Sequence, residues 1–167
     1  MKRVLLHIIL VCGLLPHAFS QSTCNSLRYQ QPVFQNVNFT SGVYFATAIP
    51  YGVIPIPQDL YLDIYAPAGD TVTRRPVVLY QFGGGFLIGT RYEPDIPFYA
   101  TYLAQCGYVV VSIDYRLGFN PLDGSSIDRE FYRAVQDQRA ALRFLFQNAA
   151  QYGIDTNSVF TTGSSAG

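Results

Sequence analysis

The chain has 167 residues, 49% of them hydrophobic and only 13% charged, a balance that excludes charge-driven disorder. Its formal net charge of +0 removes the electrostatic basis for nucleic-acid binding. Lys2 is the only lysine, and both histidines, His7 and His17, lie near the start, so any chemistry further along must proceed without either residue type.

The first segment reads as removable. Lys2 and Arg3 form a short positive region, residues 4–15 run apolar, Pro16 follows, and Ala18-Phe19-Ser20 sets small residues at the spacings a signal peptidase reads. Residues 1–20 are therefore expected to be a signal peptide cleaved after Ser20, sending residues 21–167 to a secreted or periplasmic location. A membrane anchor is the competing reading, but the apolar run is well short of the roughly 20 residues that cross a bilayer. Export permits a disulfide between Cys24 and Cys106, with two unpaired thiols as an equally weighted alternative. Asn38-Phe39-Thr40 has the pattern of a glycosylation acceptor, a triplet that also arises by chance.

Residues 33–39 and 43–49 have strand character and are separated by Thr40-Ser41-Gly42, which predicts a turn. Leu60–Tyr65 is a further strand, stopped by Pro67 and Gly69, so the sheet is expected to begin antiparallel. Pro76–Tyr80 is a continuous apolar run, as expected of a strand covered on both faces. Residues 98–105 read as a helix with Gly107 just past its end. Residues 108–113 form another buried strand. Phe131, Val135, Leu142, Leu145 and Ala149 then recur at helical spacing, with Gly153 closing the helix, and residues 158–162 make a last short strand. Alternating strand and helix from residue 76 onward predict parallel βαβ units and an α/β fold.

In such sheets reactive groups sit on loops at the carboxyl ends of the strands. Gln81-Phe82-Gly83-Gly84-Gly85-Phe86 follows one predicted strand. Its glycines allow close backbone approach to a ligand, although a plain flexible turn has the same composition. A nucleotide P-loop is excluded because no Gly-Lys-Ser/Thr follows. Gly163-Ser164-Ser165-Ala166-Gly167 follows the last predicted strand and matches G-x-S-x-G, the pattern of a strained turn that exposes a serine hydroxyl. The amides of Gly84, Gly85 and Ala166 are candidates to converge on one oxyanion. No His/Cys cluster and no dinucleotide loop is present, so neither a metal nor an organic cofactor is expected.

With these two loops stand Asp59–Tyr65, Asp114-Tyr115-Arg116-Leu117-Gly118, Asp137-Gln138 with Ala141-Leu142, and Tyr152-Gly153-Ile154-Asp155. In this order they resemble the amino-terminal half of the carboxylesterase/lipase (type-B carboxylesterase-like) group of the α/β-hydrolase fold, from about residue 40 onward. The resemblance implies a serine hydrolase of small-molecule carboxylic esters that works through an acyl-enzyme and needs no cofactor. Ser165 would be its nucleophile, and Gly84, Gly85 and Ala166 its oxyanion-hole amides. Asp114 and Arg116 would be structural, as an ion pair, and Asp137 a structural polar contact. Phe86 and the stretch from Tyr92 to Phe98 would border the site.

Two positions depart from that group: Phe82 stands where such esterases often carry His, and Asp59 where many secreted members carry Cys. A third departure concerns the base. In this fold the acid and His follow the serine in the chain, and no His follows Ser165. Three readings account for this. Residues 21–167 are an α/β-hydrolase domain truncated after the nucleophile turn, inactive alone, with the parent protein supplying the rest. Alternatively, the parent is a non-catalytic, cholinesterase-like binding or adhesion protein, which Phe82 favours and the retained Ser165 disfavours. The third, a complete small binding module, would leave a hydrophobic sheet edge open. The oligomeric state and the particular ester are not legible.

Overall fold

The computed structural model describes residues 27–50 and 56–167; the expected signal peptide and Cys24 lie outside them. Its elements in chain order are β1 (Val37–Ala48), β2 (Gln58–Pro67), β3 (Arg75–Gln81), α1 (Asp95–Gln105), β4 (Val109–Ile113), α2 (Ser126–Gln147), α3 (Ala149–Tyr152) and β5 (Ile154–Gly163). They build a five-stranded sheet of order β1-β2-β4-β3-β5. β1 with β2 and β2 with β4 are antiparallel, whereas β3 runs parallel to both β4 and β5. The α/β class and the antiparallel start are as expected.

Alternation along β3 and β4 divides the core into two layers. Val77, Leu79, Val109, Val111 and Ile113 face α2, where Ala141 and Leu145 meet them together with Leu62 and Ile64 of β2. Val78 and Val110 face the other way, onto Ala100 and Ala104 of α1. Each fully buried Val, Leu or Ile of this kind contributes about 1.5–3 kcal/mol through surface removed from water, so β2, β3 and β4 together supply much of the stabilisation of the sheet. Among the described residues β5 pairs only with β3, and most of its positions, Phe160 included, are exposed.

The turn predicted at Thr40-Ser41-Gly42 is not one. β1 runs through it as a single strand, with register shifts between Thr40 and Val43 and again between Tyr44 and Ala46. The buried carboxylate of Asp63 explains this, because its Oδ1 accepts hydrogen bonds from Ser41 Oγ (2.9 Å) and the Gly42 amide (2.8 Å). The extra residues are thereby absorbed as a bulge, and Gly42 adopts φ +70 within it.

Both helices start earlier than predicted. α1 begins at Asp95, since Pro97 sits in the first helical turn, where an amide has no intrahelical partner to lose. On α2 the buried positions are Ser126, Glu130, Ala134, Asp137, Ala141 and Leu145, while Phe131 and Val135 are exposed. The stripe read from bulky residues is therefore displaced around the helix, and only Leu145 lies fully on the buried side. Small residues let α2 approach the sheet, and the buried acids take up cations instead of apolar contacts.

The end of the sheet where β3 and β5 begin is tied by charge. Asp70 accepts from Arg28 Nη1 (2.9 Å) and Nη2 (2.6 Å) and from Arg75 Nε (2.7 Å). These partners hold the Asp70 carboxyl well below the usual carboxylate range, with Arg28 the larger cause. Nearby, Gly153 closes α3 at φ +63, and a side chain there would press on the Arg75 guanidinium.

Candidate active site

The opposite end of the sheet carries the two glycine-containing loops. β5 delivers Ser164-Ser165-Ala166-Gly167 as a tight turn in which Gly167 N donates to Ser164 O (2.9 Å) and Ser164 N to Gln81 O (3.2 Å). Ser165 takes φ +53, a left-handed conformation that costs a non-glycine residue about 1–2 kcal/mol. The flanking glycines are required by packing. A Cβ on Gly163 would lie 2.7 Å from Gly167 O and 2.8 Å from Gln81 O, and one on Gly167 would lie 2.6 Å from Phe82 O. The small residues at both ends of G-x-S-x-G thus let the turn close against the end of β3.

Residues 82–89 lie alongside. A Cβ on Gly83 would be 2.8 Å from Ser164 O and 3.2 Å from Ser165 Cβ, so the glycine loop and the serine turn touch through backbone. Gly84, at φ +125, accepts at its carbonyl from Leu87 N (3.1 Å) and Ile88 N (3.2 Å), and a side chain there would collide with the Ile88 carbonyl. The amides of Gly84, Gly85 and Ala166 donate no hydrogen bond among the described residues.

Aromatic packing fixes this loop from behind. The buried Phe82 ring stacks on Tyr115 at 4.2 Å with the planes 18° apart, and Tyr115 Oη donates to Phe82 O at 2.7 Å. Burial pushes the Tyr115 phenol up to about 12, so it remains a proton donor to that carbonyl at ordinary pH. Phe86 stands edge-on to Tyr115 and to Phe131, and its carbonyl accepts from Gly118 N (2.9 Å) and Phe119 N (3.1 Å). Phe82 is thus a core residue whose stacking gives the loop a rigid base. Ala166, partly buried, packs on the same cluster.

A cleft of about 280 Å³ opens between the loops, lined by Gly83, Gly84, Ile88, Gly89, Glu93, Asp95 and Ser164. Of the four residues singled out from sequence, Gly84 lines it; Ser165 is exposed next to the lining Ser164, and Gly85 and Ala166 are not among the lining residues. Glu93 and Asp95 fall in the stretch expected to border the site, whereas Ile88, Gly89 and Ser164 are not among the residues the sequence singled out. For Ser164 the available signal was its place in the serine turn, one residue before Ser165. Tyr80 Oη donates to Asp95 Oδ2 (3.1 Å), and burial followed by that carboxylate raises the Tyr80 phenol above its ordinary value.

The expected Asp114–Arg116 ion pair is not formed. Asp114 Oδ2 accepts from Arg91 Nη1 (2.7 Å) and the Tyr61 amide (3.1 Å), and Arg91 Nε also lies 3.1 Å from Asp63 Oδ1. Arg116 turns instead to Asp137, whose Oδ2 accepts from both the Arg116 amide (2.8 Å) and Nε (2.9 Å). Both residues lie just past the end of β4, where Asp114 meets β2 and the loop before α1 while Arg116 is captured by α2, so each finds its partner on a different element. Asp137 is the structural polar contact expected of it. Cys106 is buried and has no disulfide partner among the described residues, Cys24 lying outside them, and burial pushes its thiol up. Among the described residues no group of three or more His, Cys, Asp or Glu is placed to hold a metal, and no helix is long and apolar enough to cross a membrane.

A mixed sheet with helices on both faces, its parallel strands ending in a glycine loop and a strained serine turn, defines a domain of the α/β-hydrolase type. Residues 62–167 match the BD-FAE family model, and the chain belongs to that family. Among curated relatives it is similar to Carboxylesterase 3B of Mus musculus, with 38% identity over 69% of this chain and 20% of that protein. Neuroligin-like protein glit-1 of Caenorhabditis elegans is 35% identical over 71% of this chain and 16% of that protein. Among solved structures, phosphonate-inhibited esterase B from Lactobacillus rhamnosis superposes with a TM-score of 0.56 at 28% identity, covering 80% of this chain and 38% of that one. The chain thus spans less than a third of the length of these curated relatives.

Proposed function

We propose that the protein containing these residues is a secreted or periplasmic carboxylic ester hydrolase that uses Ser165 as its nucleophile. The observation that carries this reading is the left-handed Ser165 turn seated against a glycine loop whose Gly84 and Gly85 amides have no acceptor among the described residues. Ser165 Oγ attacks the ester carbonyl carbon while its proton passes to a base. The carbonyl oxygen becomes an oxyanion that accepts hydrogen bonds from Gly84, Gly85 and Ala166. Collapse expels the alcohol and leaves an acyl-serine, which water then hydrolyses. Each oxyanion donor contributes about 10²–10³-fold.

A serine hydroxyl is a weak nucleophile without an adjacent base. The only histidines of the sequence, His7 and His17, fall in the expected signal peptide. The base and its orienting acid are therefore assigned to sequence beyond these 167 residues, and the 167-residue chain by itself is inactive. The small share of each esterase relative that the chain covers supports this assignment.

The test is fluorophosphonate labelling of the full-length protein followed by peptide mapping. Label on Ser165, abolished in Ser165→Ala, is the expected result; label elsewhere sinks the assignment. One observation favours a second reading, a non-catalytic binding protein: the neuroligin-like relative at 35% identity. On that reading a folded full-length protein takes up no label at all.

A further inference from the structure

We propose that Asn38 is an attachment site for an N-linked oligosaccharide. Asn38-Phe39-Thr40 is the one Asn-X-Ser/Thr triplet with X other than Pro in the sequence. It lies on β1, at the edge of the sheet, with Asn38 in register with Ala66 of β2. Alternation along the strand sends Asn38 and Thr40 to one face, where both are exposed and both line an open groove of about 390 Å³. Phe39 points to the other face and leans on Tyr65 at 4.7 Å, anchoring the triplet while its two reactive positions face outward. The Asn38 carboxamide makes no hydrogen bond among the described residues, so its nitrogen is not committed to the fold.

The groove suits a first sugar residue. Thr73, Arg75 and Gln151 offer polar groups, and Tyr152 offers an aromatic ring of the kind that packs on a pyranose. It lies at the Asp70 end of the sheet, opposite the Ser165 turn, so a glycan there leaves the cleft open. A bulky hydrophilic group on β1 would also blunt an edge strand otherwise open to pairing with another chain. In the reaction, Asn38 Nδ2 attacks the anomeric carbon of a lipid pyrophosphate-linked oligosaccharide. A C–N bond forms, the C–O bond to phosphate breaks, the lipid pyrophosphate departs and one amide proton is lost.

The inference rests on the proposed export of the chain. The full-length reading frame is translated with microsomal membranes, and protease protection and glycan attachment are read separately. The expected result is a protected product whose mobility shift is removed by an amide-cleaving glycosidase, with Asn38 converted to Asp. Asn38→Gln and Thr40→Ala abolish modification at this position, and Thr40→Ser retains it. A protected chain unmodified at Asn38 overturns the site, and an unprotected chain overturns it through the loss of export.

Discussion

The two ends of the sheet are built on opposite terms. Where β3 and β5 begin, Asp70 takes up two arginines, and the nearby polar groups largely satisfy one another. Where the same strands end, glycines replace side chains, Ser165 is held in a left-handed conformation, and the Gly84, Gly85 and Ala166 amides find no acceptor among the described residues. One end stores stabilisation, and the other holds strain and unused hydrogen-bonding capacity, as expected where a developing charge is to be met. Aromatic stacking of Phe82, Tyr115 and Phe86 keeps the strained end from collapsing onto itself.

Substitutions at each end separate the two. In the full-length protein, Ser165→Gly is expected to lower ester hydrolysis on the order of 10⁶-fold. The same change raises stability by about 1 kcal/mol by releasing the left-handed strain, read as a higher melting temperature. Equal loss of both would mean that the turn is not strained. Gly84→Ala places a side chain on the Ile88 carbonyl and displaces the loop amides, lowering kcat by about 10²–10³-fold in steady-state assays.

At the other end, Asp70→Ala strands two arginines and costs about 3 kcal/mol in denaturant unfolding, with kcat unchanged for the folded fraction. Asp70 has a lower pKa folded than unfolded. Its contribution is therefore complete above the unfolded value of about 3.9 and is lost as pH falls through the folded one. A melting temperature that drops below pH 4 in the wild type and stays flatter in Asp70→Asn checks the sign. The smallest effect belongs to Tyr115→Phe. It removes the bond to Phe82 O but keeps the stack, costing about 1 kcal/mol and loosening the loop enough to lower kcat by a few-fold.

Much of this division is legible in the sequence, for reasons that differ by segment. The runs at 76–80 and 108–113 read as buried strands because residues covered on both faces leave no polar alternation. The glycine loop and G-x-S-x-G are legible because both need missing side chains. The bulge at Ser41-Gly42 is hidden because its cause, Asp63, lies on another strand. The buried face of α2 is hidden because Ala134 and Asp137, not Phe131 and Val135, occupy it. The partners of Asp114 and Arg116 are set by side chains from α2 and the loop before α1, which spacing along the chain does not reveal.

The position of β5 in the sheet has a kinetic consequence. Ala48 and Gln58 pair across a short connection, whereas Val77 pairs with Val159 across roughly eighty residues. A chain emerging amino-terminus first can join β1 to β2 early, but it must complete α2 before β5 reaches its place beside β3. The Ser165 turn follows β5 directly, so its strained geometry arises only with this pairing, the most distant among the described strands. A substitution that slows β5 docking should therefore reduce the fraction of molecules with a formed serine turn and leave the turnover of each completed molecule unchanged.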